Sequence, residues 1–368
     1  MSTNNNFYRN LGTYYIADNM KNDINPKIFK DFILNIKIIG IKPPEGDMSP
    51  MYRIERIDIS NEGGNQENID SKLVKSIQHI NEYLGDACGE ELGYKKDKHS
   101  WGLFYLMKEL ITLFQKQGYN YYRGQNQDWE TIPGIFRNLI NSDGVSFYNE
   151  FESLYLDISR EFPDDVKYIP LTSEKIDERA DELSILQHYG LPTSLLDISE
   201  NPFIAMLFML GFGKIRKPQL EFYKIDDEEH TENSIVSFVH KKASNKRIRA
   251  QKGAFINFDK LVNFINFQKN DIETINGYKC IDRVILQIEV DRCGTINYLK
   301  TEGGINATDE DTRGGEIGSD SNKKFIEALK NDDSKVHSQS IEDVYYDFIQ
   351  RELLRKLKEF NYETNDLF

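Results

Sequence analysis

Cysteine is scarce in this chain. Its 368 residues contain three, Cys88, Cys280 and Cys293, an odd number set far apart. That spacing supports neither a disulfide framework nor a zinc site, and it suits a reducing compartment. Long apolar runs are missing too: none approaches the ~18–20 residues of a membrane-spanning helix. The opening, MSTNNNFYRN, lacks the basic-then-apolar layout of a signal peptide. Together these absences give the expectation of a cytoplasmic protein with no membrane contact.

Positive charge is in deficit. The 46 Lys and Arg residues are outnumbered by 60 Asp and Glu, for a net charge of −14. Constitutive DNA binding needs clustered positive charge, so it is not expected, although one local basic patch stays open. There is no glycine-rich nucleotide loop of either standard type, no metal-ligand cluster and no Gly-x-Ser-x-Gly elbow. Serine hydrolysis and metal hydrolysis therefore lack their usual signatures, and no metal cofactor is expected.

What the chain does have is a core. Hydrophobic residues make up 39% and aromatics 12%, which excludes wholesale disorder. Residues 1–69 read as an accessory N-terminal segment or small subdomain. Within it, Ile28, Phe29, Phe32 and Ile33 have the spacing of a helical turn or two. Leu34, Ile36 and Ile38 then alternate as in a strand, and Ile54–Ile59 makes a second short apolar run. From about residue 70 the period becomes helical. Leu73, Ile77, Ile80 and Leu84 share a face, and a second helix begins after Ser100 and stops at Gly118. Tyr119–Tyr122 reads as a strand, and Phe151–Ile158 and Ile176–His188 as helices. Asn201-Pro202 is a strong start signal for a helix apolar on nearly every side. Strands follow at Ser234–His240, Gly253–Phe258 and Val284–Val290. The stretch from about 301 to 321 reads as a flexible loop, and a final helix covers about 341–360. This order predicts an α+β fold, a small mixed sheet with flanking helices. The Tyr121, Ser237, Phe255 and Leu286 segments would share that sheet.

Four places carry chemistry. Tyr122-Arg123-Gly124-Gln125 ends an aromatic strand. A guanidinium there suits phosphate or carboxylate, and Gly124 leaves room for a ligand to approach the backbone. The other reading is an arginine in a structural salt bridge. The second place is Gln187-His188-Tyr189-Gly190-Leu191-Pro192-Thr193-Ser194-Leu195-Leu196-Asp197. It reads either as a pocket with His188 as acid–base group or as a loop pinned by satisfied polar groups. The third is the basic stretch Lys241–Lys252, including Arg249 and Gln251, which reads as a nucleotide contact or a solvated hairpin. In the fourth, alternation puts Gln287 and Glu289 on one strand face. The first two and Gln251 converge in expectation, because Arg123, His188, Thr193, Asp197 and Gln251 are polar groups in apolar contexts that one cavity would satisfy together.

Taken in order, these motifs resemble the FRG domain, named for its Phe/Tyr-Arg-Gly motif. Tyr122-Arg123-Gly124 carries the motif, and Trp129, Pro133 and Arg137 have its Trp…Pro…Arg spacing. His188–Thr193 with Leu195-Leu196-Asp197 resembles the central motif, Asn201-Pro202 with Ala205–Phe208 the next helix, and Arg249-Ala250-Gln251 with Gly253 and Phe255 the last segment. The resemblance covers roughly residues 70–355, within an FRG-like region of 70–368. Two positions depart from the family pattern: Ser194 stands where Arg is usual, and Ile198 where Trp is frequent.

The resemblance implies a protein of bacterial or phage conflict, a defence or toxin system. A looser similarity to ADP-ribosyltransferases implies, by analogy, NAD as substrate and a protein or nucleic-acid acceptor. In that reading Arg123, His188, Gln251 and Glu289 carry catalysis. Tyr122, Gly124, Gln125, Tyr189, Thr193, Asp197, Asn201 and Arg249 surround the ligand. The alternative is a non-catalytic module that uses the same pocket to sense a ligand or a phage protein.

Overall fold

The computed structural model describes residues 24–42, 51–60, 71–86, 102–137, 147–172, 174–211, 213–240, 253–268, 277–301, 335–336 and 339–363. Arg249, Gln251, the rest of the basic stretch, Cys88, Ser100 and nearly all of the loop expected over 301–321 lie outside these residues. In chain order the elements are α1 (Asn25–Ile28), β1 (Phe29–Lys42), β2 (Met51–Ser60), α2 (Ser71–Asp86), α3 (Leu103–Lys116) and β3 (Tyr121–Gln125). A 3-10 turn at Gly134–Phe136 is followed by α4 (Phe147–Glu161), α5 (Ile176–His188), β4 (Leu195–Ser199) and α6 (Pro202–Leu210). Then come β5 (Gln219–Lys224), α7 (Asp227–Asn233), β6 (Ser237–His240), β7 (Gly253–Asn257), α8 (Asp259–Gln268), β8 (Ile281–Val290) and α9 (Arg292–Thr301). A two-residue pair, β9 and β10 (Lys335–Val336 and Gln339–Ser340), leads into α10 (Ile341–Glu359).

Eight strands form one mixed sheet in the order β2-β1-β8-β5-β3-β4-β7-β6. The four segments expected to share a sheet do so, as β3, β6, β7 and β8. The β1–β8 pair is parallel, from Phe29 opposite Ile281 to Ile38 opposite Val290, and the other pairs are antiparallel. Residues 29–60 thus supply two strands, and β1 lies inside the sheet rather than at its rim. This explains why Phe29, Phe32 and Ile33 are extended although their spacing also suits a helix. The helical turn is confined to Asn25–Ile28; Phe29 and Phe32 are held extended by pairing with β8, and from Ile33 onward the isoleucine-rich run is paired with β8 on one side and β2 on the other.

Two apolar layers cover the sheet. On one face Leu34, Ile36, Ile38, Tyr122, Phe222 and Leu286 pack against α2, α3, α6 and α10. On the other, Tyr121, Tyr223, Ile198 and Phe255 pack against α4, α5 and α8. Local signals account for the helix starts. The Asn201 side chain accepts from the Phe203 N–H at 2.9 Å with Pro202 at the first position, and α6 is buried on nearly all sides, as its composition requires. Ser340 and Asp343 form a reciprocal capping box at the head of α10. Gly118, at φ +92°, ends the turn after α3. Among the described residues no helix is long and apolar enough to cross a membrane.

Candidate functional site

Strand β3 sends alternate side chains to opposite faces, and this divides the Tyr-Arg-Gly-Gln motif into separate jobs. Tyr122 is 1% exposed and belongs to the core, edge-on to Phe222 at 5.6 Å between ring centres, with its hydroxyl donating to the Tyr119 carbonyl. Burial raises its pKa. Gly124 faces α6, where a Cβ would lie 1.8 Å from the Ala205 carbonyl oxygen and 2.7 Å from the Met209 nitrogen. The room expected there for a ligand is therefore filled by a helix backbone, and the glycine is required for packing. Arg123 and Gln125 point to the opposite face.

On that face lies a residue that sequence reasoning missed. Glu221 of β5 sits opposite Arg123 in the sheet register and is fully buried. Its carboxylate accepts from Gln125 Nε2 at 2.9 Å and from the hydroxyls of Thr131 and Tyr223. Gln125 also donates to the Trp129 carbonyl at 3.2 Å, so it holds the loop after β3. Burial alone would raise the Glu221 pKa. The charges of Arg123 and Arg283, with the Thr131 and Tyr223 hydroxyls, outweigh it and hold the carboxyl below its ordinary value. Arg283 itself is anchored bidentately by Asp31 of β1 at 2.7 and 2.6 Å.

Arg123 is the looser member of this layer. Its side chain is 13% exposed, and Nη1 stands 3.7 Å from Glu221 Oε2, within ion-pair range and beyond hydrogen-bond range. Among the described residues the buried Nη1 has no hydrogen-bond partner. The guanidinium lines a cavity of about 260 Å3. Ile132, Gly134 and Arg137 form one wall, and Gln187 with the 190–193 turn forms another. Leu195, Leu196 and Asp197 of β4 complete it. The walls are tied together: the Ile135 N–H donates to the Thr193 carbonyl at 3.1 Å. The Thr193 hydroxyl donates to the Gln187 side-chain oxygen, and Gln187 Nε2 donates to Asp197 Oδ2 at 2.5 Å. Partial desolvation and the charge of Arg123 lower the pKa of Arg137. Arg123 and Arg137 thus line one cavity with Asp197, whose carboxylate is held by Gln187.

The expected site residues divide accordingly. Arg123, Thr193 and Asp197 line the cavity together. His188 ends α5, half-buried, and Gln187 rather than His188 is among the lining residues. Tyr189 is 85% exposed beside the 190–193 turn. Gln125 supports from beneath, and Asn201 caps α6 and donates to the Tyr362 hydroxyl at 3.2 Å. Glu289 lies on β8, separated from β3 by β5, and pairs with Lys37 at 2.7 Å and Lys217 at 3.8 Å. Ser194, at the position that departs from the family pattern, is buried and donates to Asp259 Oδ1 at 2.6 Å. Asp259 in turn accepts from Arg179 Nε at 3.1 Å.

Comparison with known families places this geometry. Residues 119–216 match the FRG domain family model. Every residue lining the cavity falls inside that FRG segment, as do β3, α4, α5, β4 and α6. Glu221, the carboxylate beneath Arg123, lies just beyond it. No curated protein and no solved structure matches the chain.

Proposed function

We propose that the FRG segment binds a small phosphate-bearing ligand in the Arg123–Arg137 cavity. One observation carries this reading: Arg123 and Arg137 line the same small cavity, and Arg123 is held by an ion pair as long as 3.7 Å. Like charges brought together disfavour one another, and a phosphate between them removes the repulsion and supplies acceptors in fork geometry. Isothermal titration calorimetry with pyrophosphate at several salt concentrations tests it. Saturable, salt-sensitive binding lost in Arg123→Met supports the reading. Binding unchanged by Arg123→Met and by Arg137→Ala, or no binding at low salt, would refute it.

A second reading, ADP-ribosyl transfer from NAD, has one observation in its favour: the Asp197 carboxylate lines the same cavity as Arg123 and is held by Gln187. Asp197 would then stabilise the oxocarbenium-like ribose, in place of Gln251, which lies outside the described residues, or of Glu289, which lies on β8 outside the cavity lining. The N-glycosidic bond breaks, nicotinamide leaves with its electron pair, and an acceptor nucleophile bonds to C1′ and gives up its proton. Nicotinamide release abolished by Asp197→Asn in a folded protein supports transfer; pyrophosphate-type binding without release supports the sensing module. We further propose, on the FRG resemblance, that either activity serves bacterial or phage conflict. Phage plating on a host expressing the protein, with Arg123→Met as control, tests that setting.

A further inference from the structure

We infer that the ligand is a nucleotide, with its phosphate and sugar in the cavity and its base between Tyr189 and Trp129 at the mouth. The inference rests on the phosphate-pocket reading and extends it to the rest of the molecule. At about 260 Å3 the cavity is smaller than the ~300–1,000 Å3 of pockets that enclose drug-sized ligands. It holds a phosphate and its sugar and leaves an attached group outside. The chain beside the opening is aromatic. Tyr189 immediately precedes Gly190 and Leu191, both lining residues, and is 85% exposed; it is the most exposed of the large apolar side chains among the described residues. Trp129, three residues before the lining Ile132, is 52% exposed, and its carbonyl is held by Gln125 in the layer beneath Arg123. Neither ring packs against another aromatic ring among the described residues. Two segments that lead into opposite parts of the cavity lining, at Gly190 and at Ile132, therefore each carry a solvent-exposed aromatic ring. Bases stack on such rings whatever their identity, and the arginines take the phosphates.

The test separates the base from the phosphate. AMP and ribose 5-phosphate, which differ by the base alone, are titrated into the full chain, following tryptophan fluorescence and heat, alongside a 5′-phosphorylated oligonucleotide. AMP is expected to bind about 5- to 20-fold more tightly than ribose 5-phosphate, the usual yield of base stacking, and to quench fluorescence. Tyr189→Ala should remove most of that difference while leaving ribose 5-phosphate affinity unchanged. Tight binding of the oligonucleotide but not AMP assigns the same chemistry to a nucleic-acid end. Equal affinity for AMP and ribose 5-phosphate, or a Tyr189→Ala protein that keeps the full difference, overturns the nucleotide inference while the phosphate pocket survives. Failure of every phosphate ligand overturns both.

Discussion

Two arginines, Arg179 on α5 and Arg123 on β3, are both largely buried, and they are put to different uses. Arg179 is 2% exposed and every nitrogen of its guanidinium has a partner. Nε meets Asp259 at 3.1 Å, Nη1 the Ile169 carbonyl at 2.6 Å and Nη2 Glu152 at 2.5 Å, while the Tyr155 ring lies 5.4 Å away. Burial works against its charge, but Asp259 and Glu152 outweigh it and raise its pKa. Arg123 has an ion pair at 3.7 Å and a buried Nη1 without a hydrogen bond among the described residues, and it lines the cavity. A buried arginine with every guanidinium nitrogen engaged is a structural bolt. One that is held by a long ion pair and lines a cavity is free to meet a ligand. The contrast lies in how each guanidinium is held, since burial alone does not separate the two.

The largest effect expected is at the bolt. Arg179→Met keeps the stem but leaves the Glu152 and Asp259 carboxylates without their cation. Breaking a buried pair this way costs about 3–5 kcal/mol. Urea denaturation at neutral pH measures it, and a loss below ~1 kcal/mol would show that Arg179 is not structural in the sense drawn here.

Glu221→Gln comes next, at about 1–3 kcal/mol near neutral pH, because it removes a charge that two arginines and three hydrogen-bond donors hold in place. Here pH decides the test. Glu221 has a folded pKa below its unfolded value of 4.5, so its contribution is complete above that value and is lost as pH falls through the folded one. The stability gap between the unmodified protein and Glu221→Gln should therefore narrow as pH drops from about 5 toward 3. A gap that stays constant over that range contradicts the ionised, charge-stabilised Glu221.

Arg123→Met should lower stability by about 1 kcal/mol, because the lost ion pair is long and Asp31-anchored Arg283 still faces Glu221. Phosphate binding, by contrast, should vanish. Destabilisation as large as that of Arg179→Met would collapse the distinction between the two residues.

Much of this arrangement was legible in the sequence, and the gaps have physical causes. The Asn201-Pro202 start, the Gly118 stop and the four sheet segments rest on local chemistry, which short windows carry. Arg123 stood out because it interrupts an aromatic strand. Arg179 did not, because α5 is charged throughout and its partners Glu152 and Asp259 are 27 and 80 residues away. Glu221 was missed with the whole of β5, Gln219–Lys224, which is buried on both faces and so lacks the polar alternation that announces a strand. Its burial follows from neighbours on both sides of the sheet, with Gln125 96 residues away. Leu195–Ser199, buried on both faces except at Asp197, lacks the alternation that announces a strand. Gly124 was legible as a required glycine, but whether a ligand or a helix approaches it is a tertiary fact.

The smallest effect on folding is expected at Arg137, and it sharpens the comparison from the ligand side. Its side chain is largely exposed and donates to the Ile132 carbonyl at 3.3 Å, so Arg137→Ala should change stability by no more than about 0.5 kcal/mol. Its affinity effect should be larger, about 2- to 10-fold weaker for pyrophosphate with a shallower salt dependence, because one of two cations facing the ligand is gone. Partial burial and the charge of Arg123 both lower the Arg137 pKa. Removing Arg123 first should therefore change what Arg137 contributes. In a double-mutant cycle on pyrophosphate affinity, Arg123→Met and Arg137→Ala should be non-additive, since a single phosphate group bridges both. Strict additivity would mean that the two guanidiniums do not meet at one anion, and the cavity would then be a gap between two independent surface charges.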